Sequence, residues 1–154
     1  MKNPFHTCLL LLLALGSASM LGAQEKSAVA WNLSLSQSGL SVGDEVDVVI
    51  TARIAPDWIV YSTDFKADIG PQPTQVLFAP SDSWQVVGPV ISVQPKRKKD
   101  RTWDIEFGYF EEHAEFRQKI RILKKDVAIT VRIKGQLCNE REGICTLYEE
   151  KLAR

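Results

Sequence analysis

The sequence predicts an all-β domain, an antiparallel β-sandwich, on three observations. Apolar and polar residues alternate with a period of two along most of the chain. The alternating runs are short and are punctuated by Gly, Pro, Asn and Asp. Beyond the N-terminal segment, no stretch carries the period of an amphipathic helix. At 154 residues the chain has the length of one domain, and its 45% apolar content is enough to exclude wholesale disorder. With 19 Lys+Arg against 19 Asp+Glu, it lacks the cationic excess that non-specific nucleic-acid binding requires.

The N-terminus reads as a secretory signal peptide. Met1-Lys2 is a positive start, residues 8–15 (CLLLLLAL) are an apolar run, and small residues from Ser17 lead to a cleavage position after Ala23. The run is well short of the ~20 residues that span a bilayer, so residues 1–23 are expected to be removed. Residues 24–154 remain as the exported domain, with no transmembrane span.

Each strand then follows from its own pattern. Trp31, Leu33 and Leu35 alternate with Asn32, Ser34 and Ser36. Over Glu45–Ile54 the residues Val46, Val48, Ile50, Ala52 and Ile54 share one face. After Pro56-Asp57 comes a short strand, Trp58-Ile59-Val60-Tyr61, rich in aromatic and β-branched residues. Residues 64–74 hold two prolines and a glycine and read as a loop. Residues 76–78, residues 84–87, and Val90, Ile91 and Val93 read as three short strands, the last two divided by Gly88-Pro89. Trp103, Ile105, Phe107 and Tyr109 alternate with Asp104, Glu106 and Gly108. Phe116, Gln118, Ile120 and Ile122 form one face, as do Val127, Ile129, Val131 and Ile133. About eight or nine such strands, with one wet face per sheet, make an immunoglobulin-like antiparallel β-sandwich.

Most chemistry lacks its parts. The exported domain has a single histidine, His113, set among glutamates, and no nucleophile turn, no metal-ligand cluster and no phosphate-cradling glycine loop. No cofactor and no metal are expected. The dense charge run 96–101 (KRKKDR) reads first as a solvated hairpin connection, and second as a docking patch for an acidic partner or anionic lipid.

The cysteines are different. Cys8 leaves with the signal peptide, and the remaining pair, Cys138 and Cys145, reads as a disulfide in an oxidising compartment. The two flank turn-forming residues 139–143, on neighbouring arms of a hairpin-like loop. As a staple, an eight-residue closed loop contributes about 2.5 kcal/mol in the chain-entropy model. As a redox pair, a short surface loop leaves sulfur within reach of another thiolate. Spacing alone leaves a structural disulfide in a non-catalytic binding module and a thiol–disulfide exchange site equally open.

The exported domain resembles the N-terminal periplasmic domain of the DsbD thiol:disulfide interchange family. The resemblance rests on Trp58-Ile59-Val60-Tyr61-Ser62, Gly70-Pro71-Gln72-Pro73-Thr74, the Phe116-Arg117-Gln118-Lys119-Ile120 strand, and Gly135-Gln136-Leu137-Cys138 with Cys145. It implies a periplasmic location and a dithiol at Cys138 and Cys145. It also implies a membrane thiol reductase or thioredoxin-like protein as electron donor, and oxidised periplasmic proteins as clients. The resemblance further implies that Cys138 forms the mixed disulfide, and that an aromatic on the stretch 107–112 caps the sulfurs. Tyr109 and Phe110 are the candidates, with strand-end or core packing as their other reading.

Overall fold

The computed structural model describes residues 27–66, 69–100 and 104–154. The expected signal peptide lies outside these residues, as do Arg101 of the charge run and Trp103. The described residues form ten strands: β1 (Val29–Leu35), β2 (Glu45–Ile54), β3 (Trp58–Tyr61), β4 (Gln75–Phe78), β5 (Trp84–Ser92), β6 (Lys96–Asp100), β7 (Ile105–Phe110), β8 (His113–Ile122), β9 (Thr130–Asn139) and β10 (Ile144–Ala153). One sheet has the order β1-β2-β8-β5. The other runs β10-β9-β3-β7-β6, with β4 also paired to β9, and all pairings are antiparallel. The expected all-β sandwich is the observed fold.

Alternation builds the core. Val46, Val48, Ile50, Ala52 and Ile54 of β2 and Phe116, Ile120 and Ile122 of β8 are all buried. Facing them from the second sheet are Val60, Phe110, Val131, Ile133 and Leu137. Where β1 and β10 would leave the sandwich open, the Trp31 ring lies 6.1 Å from that of Phe116 and 5.4 Å from that of Tyr148. Such ring contacts add to the area buried between the layers.

Two elements differ from the sequence expectation. Residues 84–92 are one edge strand rather than two, with a register shift between Val87 and Ile91 where Gly88 (φ 72°) and Pro89 sit. An edge strand tolerates a bulge and a proline that a central strand cannot. Gln118 of β8, 3% exposed, donates from Nε2 to the carbonyls of Val87 and Gly88 at 3.2 and 3.1 Å, so the bulge leaves these oxygens satisfied. The charge run is the second difference. It is a strand, β6, and not a connecting loop, and Lys96 to Asp100 pair residue by residue with Tyr109 to Ile105. Charged residues on a sheet edge oppose pairing with a foreign strand, which explains why so polar a segment takes this place.

Candidate functional site

Strand β9 presents Val131, Ile133 and Leu137 to the core, and period two turns Gln136 and Cys138 to the outer face of the sheet. Cys138 and Cys145 stand directly opposite each other in the β9–β10 ladder, 4.1 Å apart at Cα, and are joined as a disulfide. The turn between them is set by Asn139, whose Oδ1 accepts from the amides of Arg141 and Glu142 at 3.0 and 2.9 Å. Gly143 closes the turn at φ 68°, donating its amide to the Asn139 carbonyl at 2.9 Å. The sequence places turn residues where the chain reverses, and the reversal brings the sulfurs together.

The two sulfurs sit in unlike surroundings. Cys145 is exposed on the edge strand, whereas Cys138 is 6% exposed. Cys138 belongs to a small second apolar cluster on the outer face of the sheet with Ile59, Tyr61 and Phe107, and Phe65, Ile105 and Tyr109 pack against it. Phe107 meets Tyr61 edge-on at 5.3 Å, and Phe65 lies tilted to Phe107 at 6.0 Å.

Two donors converge on the buried sulfur. Tyr61 Oη donates to Cys138 Sγ at 3.3 Å, and Gln136 Nε2 donates to the same atom at 3.6 Å. The Gln136 amide is oriented from its other end, where Oε1 accepts from the backbone N–H of Gln72 at 3.0 Å. Burial, reinforced by the negative charges of Glu140 and Asp100, pushes the Tyr61 hydroxyl up to about 12. It therefore remains a donor at any physiological pH. A thiolate at Cys138 would be received by two N–H or O–H groups already aimed at it.

The hairpin β6–β7 extends the same sheet beside β3 and contributes Phe107, Ile105 and Tyr109 to this cluster. Its backbone joins the body through Val60–Phe110 and Tyr61–Tyr109, with the Ser62 amide donating to the Gly108 carbonyl at 2.9 Å. Gly108 is required at this approach, because a Cβ there would collide with Ser62 Oγ. Further along, Lys98 of β6 reaches Glu140 in the cysteine turn at 2.7 Å, and Arg97 pairs with Asp64, the residue before Phe65. The hydrogen bond to Glu140 holds the Lys98 ammonium above its ordinary value.

On the returning strand, Tyr148 crosses beneath the sheet to bond Thr74 Oγ1 at 2.6 Å, and Thr74 Oγ1 donates to the Tyr61 carbonyl at 2.5 Å. The crossing passes over Gly135, where a Cβ would lie 2.9 Å from Tyr148 Oη and 3.1 Å from Thr74 Cα. Burial raises the Tyr148 hydroxyl far above its ordinary range. The bond network thus ties the strand bearing Cys145 to the strand bearing Tyr61.

The two cap candidates separate here. Tyr109 packs against the Cys138 cluster, 6.2 Å from Phe107. Phe110 points the other way, into the main core, 5.3 Å from Phe116. One residue of offset on a strand accounts for it, since neighbours face opposite sides. Phe107, on the Tyr109 face, is the more buried of the two at 4%. Sequence reasoning also missed Tyr61, Phe65 and Gln136 as neighbours of the sulfur. The alternation at 107 and 109 was signal enough for Phe107, but a contact spanning 77 positions, Tyr61 to Cys138, left none. His113 stands exposed at the start of β8. Among the described residues, no group of three or more His, Cys, Asp or Glu is placed to hold a metal ion.

An immunoglobulin-like sandwich with one disulfide across an edge hairpin, one sulfur sheltered and one open, defines a domain built for thiol chemistry at its surface. The sequence matches the family described as thiol:disulfide interchange protein DsbD, N-terminal, over residues 30–154, and the chain belongs to that family. Thiol–disulfide exchange is the function this membership and the cysteine pair support. Among solved structures, the DsbD N-terminal domain of Neisseria meningitidis in the reduced form is similar at TM-score 0.55 and 15% identity, covering 82% of this chain and 84% of that one. The N-terminal periplasmic domain of ScsB from Proteus mirabilis is similar at TM-score 0.56 and 14% identity, over 86% of this chain and 48% of that one. The Neisseria meningitidis complex between the DsbD N-terminal and PilB N-terminal domains also matches, at TM-score 0.51 and 12% identity, over 88% and 87% of the two chains. At these identities the likeness is one of fold. No curated protein matches the sequence. Among the described residues, no helix is long and apolar enough to cross a membrane.

Proposed function

We propose that this chain relays reducing equivalents in the periplasm through Cys138 and Cys145, with Cys145 as the sulfur that partners attack. The observation that carries the assignment is the asymmetry of the pair: Cys145 is exposed, while Cys138 is buried in one cluster with Ile59, Tyr61 and Phe107 and has two donors on its sulfur. This reverses the order that family resemblance implied, because accessibility selects the attacked sulfur and thiolate stabilisation selects the leaving one.

The steps balance as two electrons and two protons. A thiolate of a reduced membrane reductase or thioredoxin-like donor attacks Cys145 Sγ, and the Cys138–Cys145 bond breaks. Cys138 leaves as a thiolate, takes the hydrogen bonds of Tyr61 and Gln136, and is then protonated. The donor's second thiol closes on its own sulfur, releasing Cys145 and leaving the donor as a disulfide. In the second half, the Cys145 thiolate attacks a disulfide of an oxidised periplasmic client. Cys138 then resolves that mixed disulfide, and the starting bond re-forms.

Trapping tests this order. Cys138→Ser retains the attacking thiol and lacks the resolving one, so it should accumulate mixed disulfides in periplasmic extract. Cys145→Ser should accumulate far fewer, because its remaining thiol is buried. Equal trapping by both variants would overturn the order of attack. No adduct with either, together with a reduction potential well below about −300 mV, marks a structural bond in a binding module and would falsify exchange.

A further inference from the structure

The six-stranded sheet ends on one side in β6 and on the other in β10. The β6 edge is closed to a foreign strand, because Lys96 to Lys99 line it and each is held in an ion pair with a carboxylate. The β10 edge is built differently. Its opening stretch, Ile144 to Tyr148, carries no charge and no proline, and the ladder to β9 runs through it without a bulge. Ile144 and Leu147 are 51% and 66% exposed, and Cys145 stands between them. Among the described residues, no strand pairs with the free side of β10.

The register decides which backbone groups that edge offers. In an antiparallel ladder, opposite residues alternate between pairs that exchange hydrogen bonds, about 5.5 Å apart at Cα, and closer pairs that do not, about 4.5 Å apart. At 4.1 Å, Cys138 and Cys145 are a close pair. The far end of the ladder keeps the same phase. Ile129 and Arg154 exchange both backbone bonds, at 2.8 and 2.9 Å, and Thr130, opposite Ala153, turns its carbonyl away from β10 to the Ala79 amide at 2.9 Å. Even-numbered residues of β10 therefore bond to β9, and the amides and carbonyls of Cys145, Leu147 and Glu149 point out from the sheet edge. The chemistry comes from the same side. A thiolate that displaces Cys138 from Cys145 enters opposite the leaving sulfur, and Cys138 leaves on the β9 side. The incoming sulfur arrives over the free edge.

We infer that β10 receives the thiol-bearing segment of the exchange partner as an added strand, its extended backbone paired with Cys145, Leu147 and Glu149 and a side chain packed on Leu147. An extended peptide is the occupant that fits, because it repeats a donor and an acceptor at the spacing of alternate strand residues. Leu147 shares a face with Cys145, about 7 Å along the strand, so a protein segment that reaches the sulfur also covers it. A small thiol covers neither the leucine nor the edge. The inference deepens the function proposed above, and rests on it for the existence of a physiological partner.

The test compares two peptides on the purified oxidised protein: a short cysteine peptide with valine and threonine on either side, and the same peptide N-methylated at and beside its cysteine. Both bring one thiolate, which bonds to Cys145 Sγ as Cys138 departs as a thiolate. The unmodified peptide should form its mixed disulfide roughly five- to tenfold faster, the effect of one or two backbone hydrogen bonds. Leu147→Pro removes an outward amide and spares the ladder to β9, so it should bring the ratio of the two rates close to one. Leu147→Ala keeps the amide and should keep most of the ratio. Because each ratio is taken on one protein, a general change in reactivity cancels. A second readout uses Cys138→Ser, which holds the peptide as a stable adduct on Cys145. Amide hydrogen exchange at Leu147 and Glu149 should slow about tenfold or more in that adduct, and not in the adducts of the methylated peptide or glutathione. Equal rates for the two peptides, or unchanged exchange at Leu147 and Glu149, overturns the added strand. So does protection of those amides in the free protein that grows with its concentration, since a second copy then occupies the edge. None of these measurements needs a physiological partner. Protection by the peptide without adducts from periplasmic extract keeps the docking edge and removes the exchange function, and adducts from extract without protection do the reverse.

Discussion

The molecule has two apolar regions, and they are built for different ends. The inter-sheet core is deep and closed: Val48, Ile50, Val60, Phe116, Ile120, Ile122, Val131 and Ile133 are all wholly buried between two sheets. The cluster around Cys138 is shallow. Four buried residues lie on the outer face of one sheet, and Phe65, Ile105 and Tyr109 pack against them. The first region decides whether the chain folds. The second surrounds the buried sulfur of the disulfide once the chain has folded.

Substitutions in the two regions should separate stability from reactivity. Phe116→Ala leaves a large cavity in the closed core and should cost about 3–5 kcal/mol, read by urea unfolding. Gly135→Ala forces Tyr148 and Thr74 apart and should cost roughly 1–3 kcal/mol, with part recovered in the Gly135→Ala, Tyr148→Phe double variant. Phe107→Ala should cost less than Phe116→Ala and yet speed dithiothreitol reduction several-fold, whereas Phe110→Ala should behave like a core variant. A Phe110→Ala that accelerates reduction while leaving stability intact would blur the two regions. Tyr61→Phe removes one donor from the departing Cys138 thiolate, about 1.5 kcal/mol or roughly tenfold in rate, with little change in urea midpoint. The smallest effect is one of pH. Tyr61 holds its proton to about 12 against an ordinary 10, so its contribution to stability is complete below 10 and declines as pH rises from 10 towards 12. Tyr61→Phe should flatten that alkaline slope.

The inner core was legible in sequence because burial imposes a period. The alternations over Glu45–Ile54 and at Phe116, Gln118, Ile120 and Ile122 are the buried rows of β2 and β8. The outer cluster was legible only in part. Cys138 and Cys145 stood out by composition, and their turn by Asn139 and Gly143. Strand β6 was hidden because four consecutive cations look like a loop, and only a partner strand with complementary carboxylates nearby makes them a sheet edge. The bulge in β5 was hidden likewise, since Gly88-Pro89 ends a strand unless a glutamine elsewhere binds the freed carbonyls. Which sulfur is exposed depends on what folds over each of them, and that is a matter of contacts distant in sequence.

The ladder that sets Cys138 opposite Cys145 continues over ten residue pairs, and Tyr148 anchors it to Thr74. Reduction removes one covalent link from this ladder and leaves its hydrogen bonds in place. The two thiols then face each other at a high effective molarity, without a loop to search. Under the proposed order of attack, a mixed disulfide at Cys145 would be short-lived, because the Cys138 thiol stands directly opposite it. Such a domain hands on its electrons as a pair, and spends little time joined to whatever it serves.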